Sequence, residues 1–328
     1  MNNKPLLSIA IPTYNHSKFL KDLLDSILSQ LAKDVEIVVS DNCSPDETQE
    51  LVNEYKIKCP NIKYFRNEIN LGFDRNFINC VRRARGDYVW IIGDDDRLAP
   101  GAIEYIKKII KNQSPGLIYI NSRYFNINFK NPFPNPTVTK LISDYKFKSA
   151  DECFRTLGAL LGFISAVVAQ RKIMSDAIKD ENNYSSYLGG GYVNFYFVIV
   201  ALTKKFSYFV AYPFIEARSG NSWASEQDVF RTFFIDQEKI PKEAKNLGYS
   251  FWTILKFVLW IRAGLVKRVI FARLNENKEF QHNFLQKMIK HYKFSPIFWL
   301  TAFPFFLIPN FLLGFFYRNI KSLKRKLY

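Results

Sequence analysis

Short apolar runs alternate with helix-like segments from residue 6 to about residue 122, and few folds accept that order. Leu6–Ile11 (LLSIAI), Val35–Val39 (VEIVV), Ile62–Phe65, Tyr88–Ile92 (YVWII) and Gly116–Ile120 read as strands. Continuous apolar runs of this length suit strands buried on both faces. Between the first two, Phe19, Leu20, Leu23, Leu24, Ile27, Leu28 and Leu31 recur at helical spacing, with Ser17 as the expected cap. A second helix is expected from about Pro45. A third covers Phe73–Ala84, with Phe77, Ile78 and Val81 on one side, and Pro100 stands in the first turn of a fourth. The order βαβαβαβαβ predicts an α/β fold, a doubly wound and mostly parallel sheet with helices on both faces. Such sheets bind ligands beyond the carboxyl ends of their strands. Three polar clusters fall at those ends: Thr13-Tyr14-Asn15, Ser40-Asp41-Asn42 and Asp94-Asp95-Asp96.

The rest of the chain is less regular. Asn131–Pro136 (NPFPNP) reads as a loop, Gly162–Gln170 as a strand, and Gly189-Gly190-Gly191 opens an apolar helix or strand running to Leu202. Charge divides the chain unevenly. After residue 238 there are 17 Lys and Arg against 3 Asp and Glu, nearly all of the net charge of +16. A basic, aromatic-rich tail suggests an anionic surface as partner. The near-neutral remainder argues against a nucleic-acid-binding core. Cys43, Cys59, Cys80 and Cys153 lack the paired spacing of a zinc site and read as reduced packing residues. As reduced packing residues they suit a cytosolic protein, and Met1–Pro5 runs straight into a strand and is too short and too polar for a signal peptide.

Three adjacent carboxylates after an apolar strand cannot be an ordinary core feature, because like charges repel and their desolvation is costly. A solvated acidic turn beside a helix N-terminus is the bland alternative. The chemical reading is a Mg2+ or Mn2+ site, since these ions bind through one or two carboxylates together with substrate phosphates. Any of the three acids could serve as ligand.

Ser8–Asn15 (SIAIPTYN) resembles the first strand and nucleotide-binding loop of the GT-A-fold, family 2 glycosyltransferases. Asp41 in VVSDNCSPDET resembles the family's nucleobase-contacting aspartate. Asn70-Leu71-Gly72 with Arg75-Asn76 resembles the segment lining the diphosphate and base, and Gly93-Asp94-Asp95-Asp96 before Pro100 resembles the DXD region. The resemblance covers roughly residues 5–125. It implies that Pro12, Thr13, Tyr14, Asn15, Asp41, Asn70, Gly72, Arg75, Asn76, Asp94 and Asp95 contact a nucleotide-sugar, by family a UDP-sugar. It further implies that Asp95 holds the metal, with Asp96 as the alternative ligand and Asp94 as a ribose contact. Asp41 could instead be turn chemistry, Arg75 a solvated helix residue, and Tyr14 a cover of the cleft rather than a stacking surface.

Inverting members of the family use a carboxylate base from their second half. The matching region here, Tyr184–Phe195 (YSSYLGGGYVNF), contains no acid, which departs from the family pattern. Asp180 and Glu181 just upstream are the candidate bases, and Glu216 lies further on. Arg218–Trp223 forms a polar loop whose Trp223 could face a sugar or pack beneath it. The absence of a QxxRW element favours transfer of a single sugar. A nucleotidyltransferase would carry a glycine-rich loop after the first strand, which Pro12–His16 is not. A non-catalytic scaffold would have no need of Asp41, Arg75 and the acidic triplet.

Phe294–Tyr317 is 24 residues without a charge, interrupted by Pro296, Pro304 and Pro309. Lys287, Lys290 and Lys293 precede it, and Arg318, Lys321, Lys324, Arg325 and Lys326 follow. Basic flanks on both sides favour a re-entrant or interfacial insertion at the cytoplasmic face of the plasma membrane. Ser250–Arg273 mixes Trp252, Phe257 and Trp260 with basic residues in the same way, or forms a buried helical hairpin. The expected organisation is a nucleotide-sugar-binding half at 1–125, an acceptor-binding half at 126–240 and a membrane-associating helical region at 241–328. The acceptor that fits is a saccharide, lipid-linked as in surface-polysaccharide (O-antigen-type) assembly. The sequence leaves the oligomeric state unspecified.

Overall fold

The computed structural model describes residues 4–130, 132–137, 139, 141–219, 237–275 and 278–314. They fall into two compact units, one ending at Ile254 and one beginning at Leu255.

The first unit is built on one sheet. Its strands are β1 (Leu7–Thr13), β2 (Val35–Asp41), β3 (Ile62–Arg66), β4 (Tyr88–Ile91), β5 (Arg97–Leu98), β6 (Leu117–Phe125), β7 (Pro132–Thr137), β8 (Tyr145–Lys146), β9 (Val167–Gln170) and β10 (Ser207–Arg218). The sheet order is β3-β2-β1-β4-β9-β6-β10-β5, with β7 beside β6 and β8 beside β10. β3, β2, β1 and β4 run parallel. β9 enters antiparallel between β4 and β6, while β6 and β10 are again parallel. This is the expected α/β architecture, and β9 and β10 extend the same sheet from the less regular half.

Alternation along the strands decides which helices cover which face. Ile9, Ile37, Val39 and Trp90 pack with Leu20, Leu23, Leu24 and Ile27 of α1 (Ser17–Leu28), Val52 of α2 (Thr48–Lys58) and Ile103 and Ile106 of α4 (Ala102–Gln113). On the opposite face, Val89 and Ile91 meet Phe77 of α3 (Phe73–Arg83), Met174 of α6 (Arg171–Ala177) and Val198 of α7 (Val193–Leu202), and α5 (Ala150–Leu157) precedes β9 in the chain. Each buried Leu, Ile or Phe contributes about 1.5–3 kcal/mol. The stacked core holds the strand ends in fixed register.

Four local expectations are corrected. Residues 132–136 of the expected loop belong to strand β7, which pairs antiparallel with β6. Ser17 is the first residue of α1 rather than its cap; His16 precedes the helix, and the Ser17 N–H donates to the Asp46 carboxylate at 2.8 Å. Only Val167–Gln170 of the expected strand over 162–170 is extended. Residues 158–162 and 164–166 form 3-10 turns, which bring Ser165 to the end of β4. The apolar run to Leu202 is a helix, α7, with all ten residues buried; burial on every side removes the amphipathic signature that would have told helix from strand.

Phe257, Ile261, Leu265 and Val269, all of the second unit, bury one stripe of the helix Phe251–Asn275. Phe251, Trp252, Leu259 and Trp260 of the same helix are exposed. The uncharged run after Phe294 breaks into the short helices Pro296–Thr301 and Pro304–Leu307, each with its proline in the first turn. Arg273 donates to the carbonyl of Phe305 within the second of them and to that of Ile308 just after it. No helix among the described residues is long and apolar enough to cross a membrane. Residues 315–317 of that run and the basic residues after it lie outside the described residues.

Candidate functional site

The carboxyl ends of β2, β1 and β4 lie side by side in the sheet. Pro12 and Thr13 are buried at the end of β1, whereas Tyr14 and Asn15 are exposed. Thr13 lies opposite Asp41 in the β1–β2 register, and its carbonyl accepts the Asn42 N–H at 2.9 Å. Asn15 takes a left-handed conformation, φ 57°, and its N–H donates to Ser44 Oγ at 3.0 Å. The Thr13 hydroxyl is buried without a hydrogen-bond partner among the described residues. Such groups are rare in folded proteins and are commonly completed by water or ligand.

Asp41 is fully buried. Its carboxylate accepts from the Tyr64 hydroxyl at 2.6 Å, from Arg66 Nη1 at 3.0 Å and from the Ser44 N–H at 2.8 Å. Burial and the bond to Asp41 push the Tyr64 phenol pKa upward. Asp41 therefore fixes the β2 end and the loop after it.

The segment 67–76 is tied to the same floor. Asn42 donates to the Asn70 side chain at 2.6 Å and accepts the Leu71 N–H at 2.9 Å. Asn70 also accepts the Gly72 N–H at 2.9 Å, and Gly72 sits at φ 78°, where a glycine is favoured. Asn76 is buried and exchanges bonds with Ser40, accepting its hydroxyl at 2.6 Å and donating to its carbonyl at 2.8 Å. Among these residues Arg75 reaches outward, pairing with Glu181 at 2.9 Å.

The acidic turn distributes its three carboxylates differently. Asp94 bonds His16 Nδ1 at 3.0 Å, and this bond raises the His16 pKa above 6.5. Asp96 is buried, accepting the Ser165 hydroxyl at 2.6 Å and the Arg218 N–H at 3.0 Å. Burial, then the neighbouring Asp95, pushes its pKa well above the ordinary carboxylate range. Asp95 is half-buried. A Cβ at Gly93 would lie 3.0 Å from its Oδ1, so the glycine lets this carboxylate fold back over the turn. Among the described residues no group of three His, Cys, Asp or Glu is arranged to hold an ion alone. The half-buried Asp95 carboxylate is a hard oxygen donor of the kind that Mg2+ and Mn2+ take together with phosphate oxygens.

Glu181 and Asp180 are exposed in the second half. Asp180 caps the short turn Glu181–Asn183, accepting the Asn182 N–H at 3.0 Å. Glu181 lines a cleft of about 260 Å³ with Leu71, Arg75, Ile78, Asn79, Arg82 and Tyr184. Glu216 pairs with Arg97. Arg218 is buried, Ser219 is half-buried, and residues 220–223 of the polar loop, including Trp223, lie outside the described residues.

Four contributors escape a sequence reading. His16 bonds Asp94, while Ser165 and Arg218 bond Asp96. Asp74 is buried in α3 and accepts the N–H groups of Gly189, Gly190, Gly191 and Val193. The region without an acid of its own thus receives one from α3. The Gly189-Gly190-Gly191 run was the available signal, since successive glycines suit an anion nest at a helix start.

Residues 8–168 match the family described as glycosyl transferase family 2. The abequosyltransferase RfbV of Salmonella typhimurium is 30% identical over 249 residues, covering 70% of this chain and 72% of that protein. A Campylobacter jejuni protein named GalNAc(5)-diNAcBac-PP-undecaprenol beta-1,3-glucosyltransferase is 38% identical over 100 residues, which is 32% of its length. Among solved structures, Staphylococcus aureus TarS 1-349 in complex with UDP superposes with a TM-score of 0.62 at 18% identity, covering 88% of this chain and 81% of that one.

Proposed function

The chain belongs to glycosyl transferase family 2, and from that premise we propose that it moves one sugar from a UDP-sugar to a lipid-linked saccharide acceptor, with Mn2+ or Mg2+ held at the acidic turn. The reading rests chiefly on the orphan Thr13 hydroxyl, the Asp41 network and the Asp94-Asp95 edge, which stand at three adjacent strand ends. The nucleotide lies along this edge, with Pro12, Tyr14, Asn15, Asn70, Gly72 and Asn76 shaping its wall and Arg75 at its diphosphate end. The divalent ion, bound by Asp95 with Asp96 behind it, would neutralise the departing diphosphate.

Asp180 or Glu181 takes the proton of the acceptor hydroxyl. The acceptor oxygen then bonds the anomeric carbon as the bond to the diphosphate breaks, inverting that centre. Glu181 is supported by its contact with Arg75. The UDP donor is supported by the fold shared with a UDP-bound relative, and the lipid-linked acceptor by the name of the Campylobacter enzyme. Residues 1–125 serve the donor, 126–240 the acceptor, and 241–328 a membrane surface at the cytoplasmic face. The exposed Trp252, Trp260, Phe294, Leu300 and Phe311 among basic residues favour that surface.

Calorimetric titration of UDP with and without Mn2+, on the wild type and on Asp95→Ala, tests the donor site. The expected result is Mn2+-dependent binding that the variant loses. Absence of binding by UDP and by the CDP, GDP and dTDP alternatives would overturn the assignment.

A further inference from the structure

Arg218 ends β10, and its side chain is 3% exposed. Its guanidinium lies over two rings, 4.4 Å from the Phe19 centroid and 4.2 Å from that of Phe129. Nε donates to the Asp95 carbonyl at 2.8 Å, Nη1 to the Ile127 carbonyl, and Nη2 to the Asp22 carboxylate at 2.7 Å. The Arg218 backbone N–H donates to Asp96 at 3.0 Å. One residue therefore reaches the acidic turn through both main chain and side chain, and connects it to α1 and to the loop after β6.

Three successive acids in a poorly solvated turn strain toward separation, and a mobile turn would blur any ligand geometry. A lysine could supply charge here, but not three donors spread across a planar fork. The fork bonds the carbonyl of Asp95 and pairs its charge with Asp22 on α1. The guanidinium thereby orients the peptide that carries the Asp95 side chain, and its charge still lies beside the acidic cluster. The paired rings fix the plane of the fork, which is a stronger restraint than an exposed arginine could give.

We infer that Arg218 is a positioning residue for the donor diphosphate site, holding the Asp95-Asp96 peptide in the orientation that metal-assisted binding requires. The inference rests on the reading of the acidic turn as the metal and diphosphate site. It predicts a selective defect. Contacts to the base, gathered near Thr13 and Asp41, stay in place when Arg218 is replaced, while the gain from metal is lost.

UDP is titrated calorimetrically into the wild type, Arg218→Lys, Arg218→Gln and Asp22→Asn, each with and without Mn2+, and the ratio of the two dissociation constants is compared. Thermal melting is recorded in parallel. Both Arg218 variants should lower that ratio by about tenfold or more, the scale seen when groups that orient metal ligands are removed. UDP affinity without metal should change little. Asp22→Asn alters a half-exposed group on α1 and should lower the ratio in the same direction by less. That variant carries the test if the Arg218 variants fail to fold. An unchanged ratio in folded variants, or equal losses with and without metal, would overturn the positioning role. A wild type with no metal-dependent gain would remove the metal reading beneath it as well.

Discussion

Asp74 on α3 accepts the Gly189 N–H at 2.6 Å across 115 residues of sequence, and the same carboxylate takes the N–H groups of Gly190, Gly191 and Val193. Two of these glycines have positive φ, 82° at Gly189 and 72° at Gly191, which lets successive N–H groups converge on one anion. The bond set ties the helix carrying Arg75 to the start of α7. Asp74→Ala leaves several buried N–H groups without acceptors, at about 1–3 kcal/mol for each unsatisfied group. Urea unfolding should show a loss of at least about 3 kcal/mol. Asp74→Asn keeps one acceptor oxygen and should lose less. Equal stability of Asp74→Ala and the wild type would refute the anchoring role.

His16 gives the acidic turn a pH-dependent contribution to stability of known sign. Its hydrogen bond to Asp94 raises its pKa above 6.5, so the folded chain binds this proton more tightly than the unfolded chain. The stabilisation is complete below the unfolded pKa and disappears as pH rises through the folded value. The stability difference between the wild type and His16→Asn should therefore shrink between about pH 6 and about pH 9. Chemical denaturation across that range measures it, and a difference that grows with pH contradicts the assignment.

The strands and strand-end clusters could be read from the sequence because buried parallel strands announce themselves as apolar runs closed by polar residues. Asp41 and the acidic triplet were visible for that reason. Their partners were not. Ser165 meets Gly93 from 72 residues away and Arg218 meets Asp95 from 123 residues away, separations that no local period encodes. The bland reading of Asp41 as turn chemistry has physical content too, since its carboxylate holds Ser44 as well as Tyr64 and Arg66. α7 was ambiguous because all ten of its residues are buried.

On the helix Phe251–Asn275 the proposed membrane contact can be tested apart from folding, because exposed and buried aromatic and aliphatic residues lie on different positions. Trp252 and Trp260 are 69% and 44% exposed, whereas Phe257, Ile261, Leu265 and Val269 form the buried stripe. Trp252→Ser with Trp260→Ser should reduce co-flotation with anionic vesicles severalfold and leave the melting temperature nearly unchanged. Raising the salt concentration should weaken the remaining binding, because basic residues supply the other part of the attraction. Flotation equal to that of the wild type would exclude this face as the membrane contact.

Gly93 and Ser165 should behave as one unit. The Gly93 N–H donates to Ser165 Oγ at 2.9 Å, and the same hydroxyl donates to Asp96 at 2.6 Å. A Cβ at residue 93 would lie 3.0 Å from Asp95 Oδ1 and 3.4 Å from Ser165 Oγ. Gly93→Ala therefore crowds both acids' surroundings, at about 1–3 kcal/mol by overpacking. Ser165→Ala leaves the Gly93 N–H and one Asp96 oxygen without their partner, at about 1–3 kcal/mol. In the double variant the missing hydroxyl gives the new methyl group room, so the combined loss should fall short of the sum by about 0.5 kcal/mol or more. The shortfall should also appear in Mn2+-dependent UDP affinity, because both substitutions act on the turn that presents Asp95. Strict additivity in unfolding and in binding would mean that the two residues support the turn independently, and that Ser165 does no more than fill the end of β4.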